Sequence, residues 1–193
     1  MGEQTTLAER KRRAAQRLIL GFEGTSPSVD FKRHVAAAPP AGFILFARNI
    51  EEPEQVRELN RELAAMVPDH SPAILSVDQE GGRVLRVRNT AWPPMRWVGN
   101  IDDVHVTRRT AAAMGGELRA MGFNLDWAPV ADVDSNPSNP VIGDRSFSRN
   151  PEVVARHVNA FLDGLHEVGV MGSVKHFPGH GDTNTDSHIE LPV

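Results

Sequence analysis

Residues 150–177, NPEVVARHVNAFLDGLHEVGVMGSVKHF, decide the fold that the sequence predicts. Apolar side chains recur there in steps of three and four residues, which is the spacing of one helix face. They are Val154, Val158, Phe161, Leu165 and Val168. Asn150 suits the N-cap, Pro151 the first turn and Gly169 the end of this helix. The apolar run Met171–Phe177 follows at once, so the stretch predicts a helix that leads into a buried strand.

Four more short apolar runs precede this one, and each is bounded by glycine, proline or polar residues. We interpret all five runs as buried strands. In chain order they are Arg17–Phe22, Gly42–Ala47, Ala73–Asp78, Leu125–Val130 and Met171–Phe177. Further helical patterns cover residues 56–66 and 104–121. A leading helix is expected within residues 1–16, where the spacing from Thr6 to Glu9 fits a capping box.

The alternation of strands and helices, with no hairpin signal, predicts an α/β fold whose parallel strands are joined by crossovers. A doubly wound sheet and a TIM-type (β/α)8 barrel both fit this pattern. Gly81-Gly82 lacks the GxGxxG spacing of a dinucleotide loop. Long polar loops at Gln79–Asn100 and Ala131–Asn150 instead favour a barrel enzyme. We expect residues 1–193 to be the N-terminal part of a single barrel domain, about the first five of its eight units.

The composition is that of a globular protein, with 40% hydrophobic and 24% charged residues. A net charge of −4 gives no sign of nucleic-acid binding. The absence of cysteine excludes disulfides and thiolate metal sites. No apolar run approaches the ~20 residues of a membrane span, and the N-terminus lacks the apolar core of a secretory signal. We therefore expect a cytoplasmic protein without nucleic-acid or membrane partners.

Polar residues follow the predicted strands where each strand ends. Asp78 ends the third strand, and Asp132 and Asp134 follow the fourth. Lys175 and His176 end the fifth. Because the carboxyl ends of barrel strands converge on one mouth, these side chains are expected to share a pocket, although strand ends are polar in many folds.

Arg145 adds a further cation, in the segment Ile142–Phe147. Together with Lys175 and Asp78, it suits the hydroxyl and amide groups of a carbohydrate. The alternative is a structural network, in which Asp144 would pair with Arg145. Both interpretations stay open on these residues alone.

The segment Lys175–His188 is the richest in reactive side chains, and its glycines suit a loop that moves. Its three histidines match no standard metal-ligand spacing, and Lys175 would repel a cation. We therefore expect no metal and no cofactor. Asp186 is close enough in sequence to orient and charge the imidazole of His188, as acid–base catalysis requires. A surface pair is the commoner form of Asp-x-His.

Five stretches occur in the order in which they are found in glycoside hydrolase family 3, which this sequence resembles. They are LFARN at Leu45–Asn49, DQEGGRV at Asp78–Val84, NPVI at Asn139–Ile142, GDRSF at Gly143–Phe147 and KHFPGHGD at Lys175–Asp182. The loop with Asp186-Ser187-His188 is similar to that of the bacterial β-N-acetylhexosaminidase branch. The resemblance implies a TIM-type barrel and a retaining mechanism through a covalent glycosyl-enzyme.

The resemblance also implies roles for individual residues. His188, backed by Asp186, would be the acid/base on a mobile loop. The positions that match the sugar-binding residues of the family are Asp78, Arg86, Arg145, Lys175 and His176. The nucleophile would be an aspartate after a later strand, beyond Val193, and neither Asp132 nor Asp134 matches it. We therefore expect the 193 residues alone to bind sugar weakly and to hydrolyse nothing.

The substrate that the resemblance implies is a β-linked N-acetylglucosamine. Its natural source would be a cytoplasmic cell-wall fragment, N-acetylglucosaminyl-1,6-anhydro-N-acetylmuramic acid, in peptidoglycan recycling. Three alternatives remain open: a family 3 β-glucosidase, a glycoside phosphorylase, and a non-catalytic carbohydrate-binding remnant. The sequence predicts neither the aglycone nor the oligomeric state.

Overall fold

A computed structural model describes residues 6–68 and 71–191. The strands within these ranges are β1 Ile19–Leu20, β2 Gly42–Leu45, β3 Ile74–Val77, β4 Gln79–Gly81, β5 Val84–Leu85, β6 Leu125–Asp126 and β7 Met171–Gly172. Five of them form one parallel sheet in the order β1-β2-β3-β6-β7. Each of these five lies inside one of the five predicted runs. The predicted strands are therefore confirmed, with shorter bounds.

The strand order decides between the two predicted architectures. Neighbouring strands of the parallel sheet follow the order of the chain without a reversal. A doubly wound sheet would contain a switch point at which the order reverses. A continuous order with right-handed crossovers places the helices on one face, as in consecutive units of a barrel. The arrangement is therefore of the predicted TIM type.

The helices in the described residues are α1 Leu7–Ala15, α2 Val29–Ala37, α3 Pro53–Ala64, α4 Met95–Ile101, α5 Val104–Ala120 and α6 Pro151–Glu167. Short 3-10 turns cover Ala47–Asn49 and Gly143–Arg145. The three helical patterns inside the sequence correspond to α3, α5 and α6. Thr6 and Glu9 form the predicted capping box of α1. Residues 1–5 of the predicted leading helix lie outside the described residues.

None of the helices in residues 6–68 and 71–191 combines the length and the hydrophobicity that a bilayer crossing requires.

The structure contains a hairpin for which the sequence analysis found no signal. Strands β4 and β5 pair antiparallel inside Gln79–Asn100, which the sequence pattern had indicated as one polar loop. Gly81 ends β4 and Gly82 begins the turn, with φ of 94° and 57°, a region that side chains disfavour. Helices α2 and α4 were also missed, because nine and seven residues are too short to display a clear helical period.

Helices α5 and α6 cross closely at Gly164. A Cβ atom at this position would lie 2.2 Å from the carbonyl oxygen of Arg108 and 2.8 Å from the Cβ of Ala111. Met114, Phe161 and other buried side chains fill the space around the crossing. Because α6 leads into β7, this contact determines where the residues after β7 lie.

We expect Gly164→Ala to reduce the free energy of unfolding by about 1–3 kcal/mol, because the added methyl group forces the two helices apart. Gly116→Ala is the matched control, since a Cβ there meets nothing within 4 Å. Alanine at this helical position should stabilise the chain by about 0.5–1 kcal/mol. Urea denaturation of both variants measures these effects, and equal stability of the two would contradict the close crossing.

Candidate active site

The segments that follow β3 and β7 meet in a network of ion pairs at the carboxyl edge of the sheet. Lys175 Nζ lies 2.8 Å from Asp78 Oδ1 and 2.5 Å from Glu80 Oε1. Arg145 binds the same Glu80 carboxylate through two nitrogens, with Nε 2.8 Å from Oε2 and Nη2 2.9 Å from Oε1. Charge-assisted, bidentate contacts of this kind fix geometry as well as charge. Two cations that are far apart in the sequence, Arg145 and Lys175, thus contact the single carboxylate of Glu80.

Glu80 is buried, with only 1% of its side chain exposed. Burial raises its pKa, but the hydrogen bond from Arg145 and the positive charge of Lys175 outweigh burial, so the pKa of Glu80 lies below its usual value. The carboxylate therefore stays ionised down to a lower pH than an exposed glutamate. Its negative charge, together with that of Asp78, compensates the positive charges of Arg145 and Lys175.

Asp132 orients the imidazole of His176. His176 Nδ1 lies 2.6 Å from Asp132 Oδ2, and the His180 backbone N–H donates to Oδ1 at 2.5 Å. Burial raises the pKa of Asp132, but the hydrogen bonds from the His176 ring and the His180 backbone outweigh it, so the net pKa is lowered. The ionised carboxylate accepts a hydrogen bond from the Nδ1–H of His176. The other ring nitrogen is then an acceptor, 3.3 Å from Arg145 Nη2.

These contacts join six side chains into what we call the mouth cluster. Its members are Asp78, Glu80, Asp132, Arg145, Lys175 and His176. Four of these are predicted sugar-binding residues: Asp78, Arg145, Lys175 and His176. The structure brings them together at one site, as predicted. Their roles in binding stay a prediction.

Asp126 lies beside the mouth cluster and is fully buried. Its Oδ1 accepts a hydrogen bond from the backbone N–H of Gln79 at 2.9 Å. Its Oδ2 has no hydrogen-bond partner among the described residues. Burial raises the pKa of Asp126 well above its usual value, against the hydrogen bond from Gln79 and the charge of Lys175. Burial therefore favours the neutral form of Asp126 up to a higher pH than in an exposed aspartate.

Arg86 is the predicted sugar-binding residue that the mouth cluster does not include. Its backbone N–H donates to Gln79 Oε1 at 2.9 Å. Its Nε atom is buried and has no hydrogen-bond partner within residues 6–68 and 71–191. The predicted role of Arg86 stays untested.

The alternative prediction that Asp144 would be the structural partner of Arg145 was wrong. Asp144 pairs instead with Arg83, with Nε and Oδ1 3.3 Å apart and both side chains about half exposed. The neighbouring residues Asp144 and Arg145 therefore contact different parts of the molecule, and Arg145 contacts Glu80 instead.

Asp186 and His188 form the predicted pair. His188 Nδ1 lies 2.6 Å from Asp186 Oδ1, and the His188 backbone N–H donates to the same oxygen at 2.9 Å. These two hydrogen bonds lower the pKa of Asp186, the backbone bond contributing more. The side chain of His188 is 82% exposed. Within the described part of the chain, no hydrogen bond or ion pair joins His188 to the mouth cluster.

The sequence analysis expected Asp132 at the mouth but not its contact with His176, and it did not assign Glu80 to the site. Glu80 had a usable signal, because it lies two residues after Asp78, and alternate residues of an extended segment share a face. Asp132 was considered as a nucleophile and set aside, whereas its contact with His176 is a positioning contact. Only the fold brings residues 132 and 176 together.

The described residues contain no group of three or more histidine and carboxylate side chains arranged to bind a metal ion.

A TIM-type segment with its charged cluster at the carboxyl edge of parallel strands has the arrangement of barrel enzymes. The family described as "Glycosyl hydrolase family 3 N terminal domain" matches residues 16–193. The chain therefore belongs to this family.

Relatives with known names are similar in sequence. A beta-hexosaminidase of Nitrosomonas eutropha is 40% identical over 184 residues, which cover 91% of this chain and 52% of that protein. A beta-hexosaminidase of Idiomarina loihiensis is 39% identical, with 91% of this chain and 54% of that protein covered. The chain thus spans about half the length of these curated relatives.

Solved structures are similar in fold. A family 3 β-N-acetylglucosaminidase from a Paenibacillus species superposes with a TM-score of 0.90 at 39% identity, covering 98% of this chain and 36% of that chain. NagZ of Neisseria gonorrhoeae, in complex with N-trifluoroacetyl-D-glucosamine, gives a TM-score of 0.83 at 35% identity. That match covers 91% of this chain and 53% of NagZ.

The lowered pKa of Glu80 gives a prediction about acid stability. A carboxylate whose folded pKa lies below its unfolded value, about 4.3, stabilises the fold above that pH and loses this contribution as the pH falls toward the folded pKa. We expect Glu80→Gln to cost on the order of 3 kcal/mol at pH 7, because two cations lose a buried partner. The variant should also lose less stability than the wild type between pH 5 and pH 3.

Denaturant titrations at several pH values provide the measurement. Asp144→Asn is the matched control, since it removes an ion pair that is half exposed and should cost less than about 1 kcal/mol. If the free energy of unfolding of Glu80→Gln fell with decreasing pH as steeply as that of the wild type, a lowered pKa for Glu80 would be contradicted.

Proposed function

We propose that the complete protein is a retaining β-N-acetylhexosaminidase that removes β-linked N-acetylglucosamine from the non-reducing end of cell-wall muropeptide fragments. The observation that carries this proposal is the meeting of Asp78, Arg145, Lys175 and His176 in one cluster at the carboxyl edge of the sheet. The names of the relatives, beta-hexosaminidase and β-N-acetylglucosaminidase, support it.

In this proposal the mouth cluster binds the sugar. Each sugar hydroxyl donates one hydrogen bond and accepts others, so it needs both kinds of partner. Asp78 offers acceptor oxygens, and the cations Lys175 and Arg145 offer donors. Because Glu80 and Asp78 together compensate both cations, the cations can contact a neutral sugar without leaving a charge unpaired.

His188 is the proposed acid/base. Asp186 accepts the hydrogen bond of Nδ1, which leaves Nε2 to exchange a proton with the substrate. The charged imidazole protonates the leaving glycosidic oxygen while a nucleophilic carboxylate attacks the anomeric carbon. The neutral imidazole then takes a proton from the water that cleaves the glycosyl ester.

We place the nucleophile outside these 193 residues. Asp78 contacts Lys175, and Asp132 accepts hydrogen bonds from His176 and from the His180 backbone. A carboxylate engaged in this way is a weak nucleophile. In the proposed enzyme, an aspartate from a later strand reaches the same mouth.

The proposed natural substrate is N-acetylglucosaminyl-1,6-anhydro-N-acetylmuramic acid, released during peptidoglycan recycling in the cytoplasm. The sugar part has support from the complex of NagZ with N-trifluoroacetyl-D-glucosamine. The anhydromuramic part and the location rest on the resemblance to the recycling branch of the family.

The role of His188 can be tested in the complete protein. We expect His188→Ala to reduce kcat/KM by about 100-fold or more for N-acetylglucosaminides with poor leaving groups. The loss should be much smaller for a dinitrophenyl leaving group, which departs without a proton. His166→Ala, an exposed histidine in the last turn of α6, is the control and should change neither. An equal loss for all leaving groups would indicate a structural role for His188.

The same assays separate the alternative functions. The proposal predicts faster cleavage of a nitrophenyl N-acetyl-β-glucosaminide than of the β-glucoside, at a rate independent of phosphate, with the β-anomer of N-acetylglucosamine as first product. A preference for the glucoside would indicate a β-glucosidase. Formation of a sugar 1-phosphate would indicate a phosphorylase. No cleavage of either substrate, together with sugar binding, would indicate a binding remnant.

A further inference from the structure

His180 lies between the mouth cluster and the Asp186–His188 pair, and the proposed mechanism does not use it. His180 is buried, with 8% of its surface exposed. Its backbone N–H donates to Asp132 Oδ1 at 2.5 Å, and its ring meets that of His176 edge to face, with centroids 6.1 Å apart. A histidine this well buried in a polar loop needs partners for its ring nitrogens.

Both ring nitrogens have a hydroxyl partner. Nδ1 lies 2.7 Å from Thr183 Oγ1, and Nε2 lies 3.0 Å from Ser187 Oγ. Ser187 is the residue between Asp186 and His188. The ring therefore connects the beginning of the loop to the turn that carries the proposed acid/base.

The beginning of the loop is firmly attached to the rest of the molecule. Asn139 Nδ2 donates to the carbonyl oxygens of His180 and Thr183, at 2.7 and 3.0 Å. The Asn139 Oδ1 atom accepts from the backbone N–H groups of Val141 and Ile142. His180 is therefore fixed relative to the segment that leads to the mouth cluster.

The turn that carries His188 has far fewer attachments. Its backbone hydrogen bonds run from residues 189 and 190 back to the Asp186 carbonyl oxygen and stay within the turn. Within the described part of the chain, the hydrogen bond between Ser187 Oγ and His180 Nε2 is the one that joins residues 186–191 to earlier residues. The position of the acid/base pair relative to the cluster thus depends on His180.

We propose that His180 is a positioning residue for the acid/base, and that it acts through its hydrogen bond with Ser187. Asp132 accepts hydrogen bonds from His176 with one oxygen and from His180 with the other. The same carboxylate therefore aligns the sugar-binding imidazole and the residue to which the His188 turn is attached. This inference rests on the proposed function of His188.

The test uses Ser187→Ala and Ser187→Thr in the complete protein, because Ser187 is exposed and its replacement leaves the core untouched. We measure kcat/KM for a phenyl and a dinitrophenyl N-acetyl-β-glucosaminide. In Ser187→Ala, kcat/KM for the phenyl glycoside should fall about tenfold relative to that for the dinitrophenyl glycoside. A misplaced acid protonates the leaving oxygen poorly, and only the phenyl group needs this proton. Ser187→Thr keeps the hydroxyl and should restore the ratio. Ser138→Ala, on an exposed turn, is the control.

A double variant separates positioning from general structural damage. If Ser187 acts through His188, then Ser187→Ala should have no further effect on kcat/KM in the His188→Ala background. Hydrogen exchange in the absence of sugar is a readout independent of activity. Amides of residues 186–191 should exchange faster in Ser187→Ala and return to the wild-type rate in Ser187→Thr.

The outcomes distinguish this inference from the proposed function. An unchanged substrate ratio in Ser187→Ala, with a changed ratio in His188→Ala, overturns the role of His180 and leaves the acid/base assignment in place. Additive effects of the two substitutions overturn it as well. If His188→Ala itself shows no dependence on the leaving group, the proposed function falls first.

Discussion

The arrangement of the site depends on the ion pairs that the buried carboxylate of Glu80 makes with Arg145 and Lys175. This carboxylate binds Arg145 through two nitrogens and Lys175 through a third, with almost no exposure to water. Removing either cation would leave a buried charge with less compensation, and removing Glu80 would leave two cations facing each other. The mouth cluster is therefore a cooperative unit, in which each charge is held in place by the others.

The fold supplies the three segments that this unit needs. Helix α6 leads into β7 and so places Lys175, while the hairpin after β3 places Glu80. Arg145 comes from a 3-10 turn in the loop after β6. Because the parallel strands follow chain order, their carboxyl ends lie side by side, and residues up to 97 positions apart meet at one edge. The proposed sugar site thus follows from barrel topology.

Much of the fold could be predicted from the sequence, because the strands and the long helices have strong patterns. The stripe from Val154 to Val168 and the run beginning at Met171 are local signals, and both elements were found. The hairpin at Gly81-Gly82 was missed, because its two short strands carry no alternating apolar pattern. Asp78 and Lys175 could be named from their places at strand ends. Glu80 was missed although it lies two residues after Asp78. The contacts of Glu80 with Arg145 and of Asp132 with His176 could not be predicted, since the partners are 65 and 44 residues apart and only the folded chain brings them together.

The most direct test of this account is a crystal structure of the complete protein with N-acetylglucosamine bound. The account predicts that sugar hydroxyl or amide groups lie within about 3.2 Å of Asp78, Arg145 and Lys175. Glu80 should keep its contacts with both cations in that complex. A sugar bound elsewhere, or a complex in which Arg145 and Lys175 face different pockets, would contradict the account.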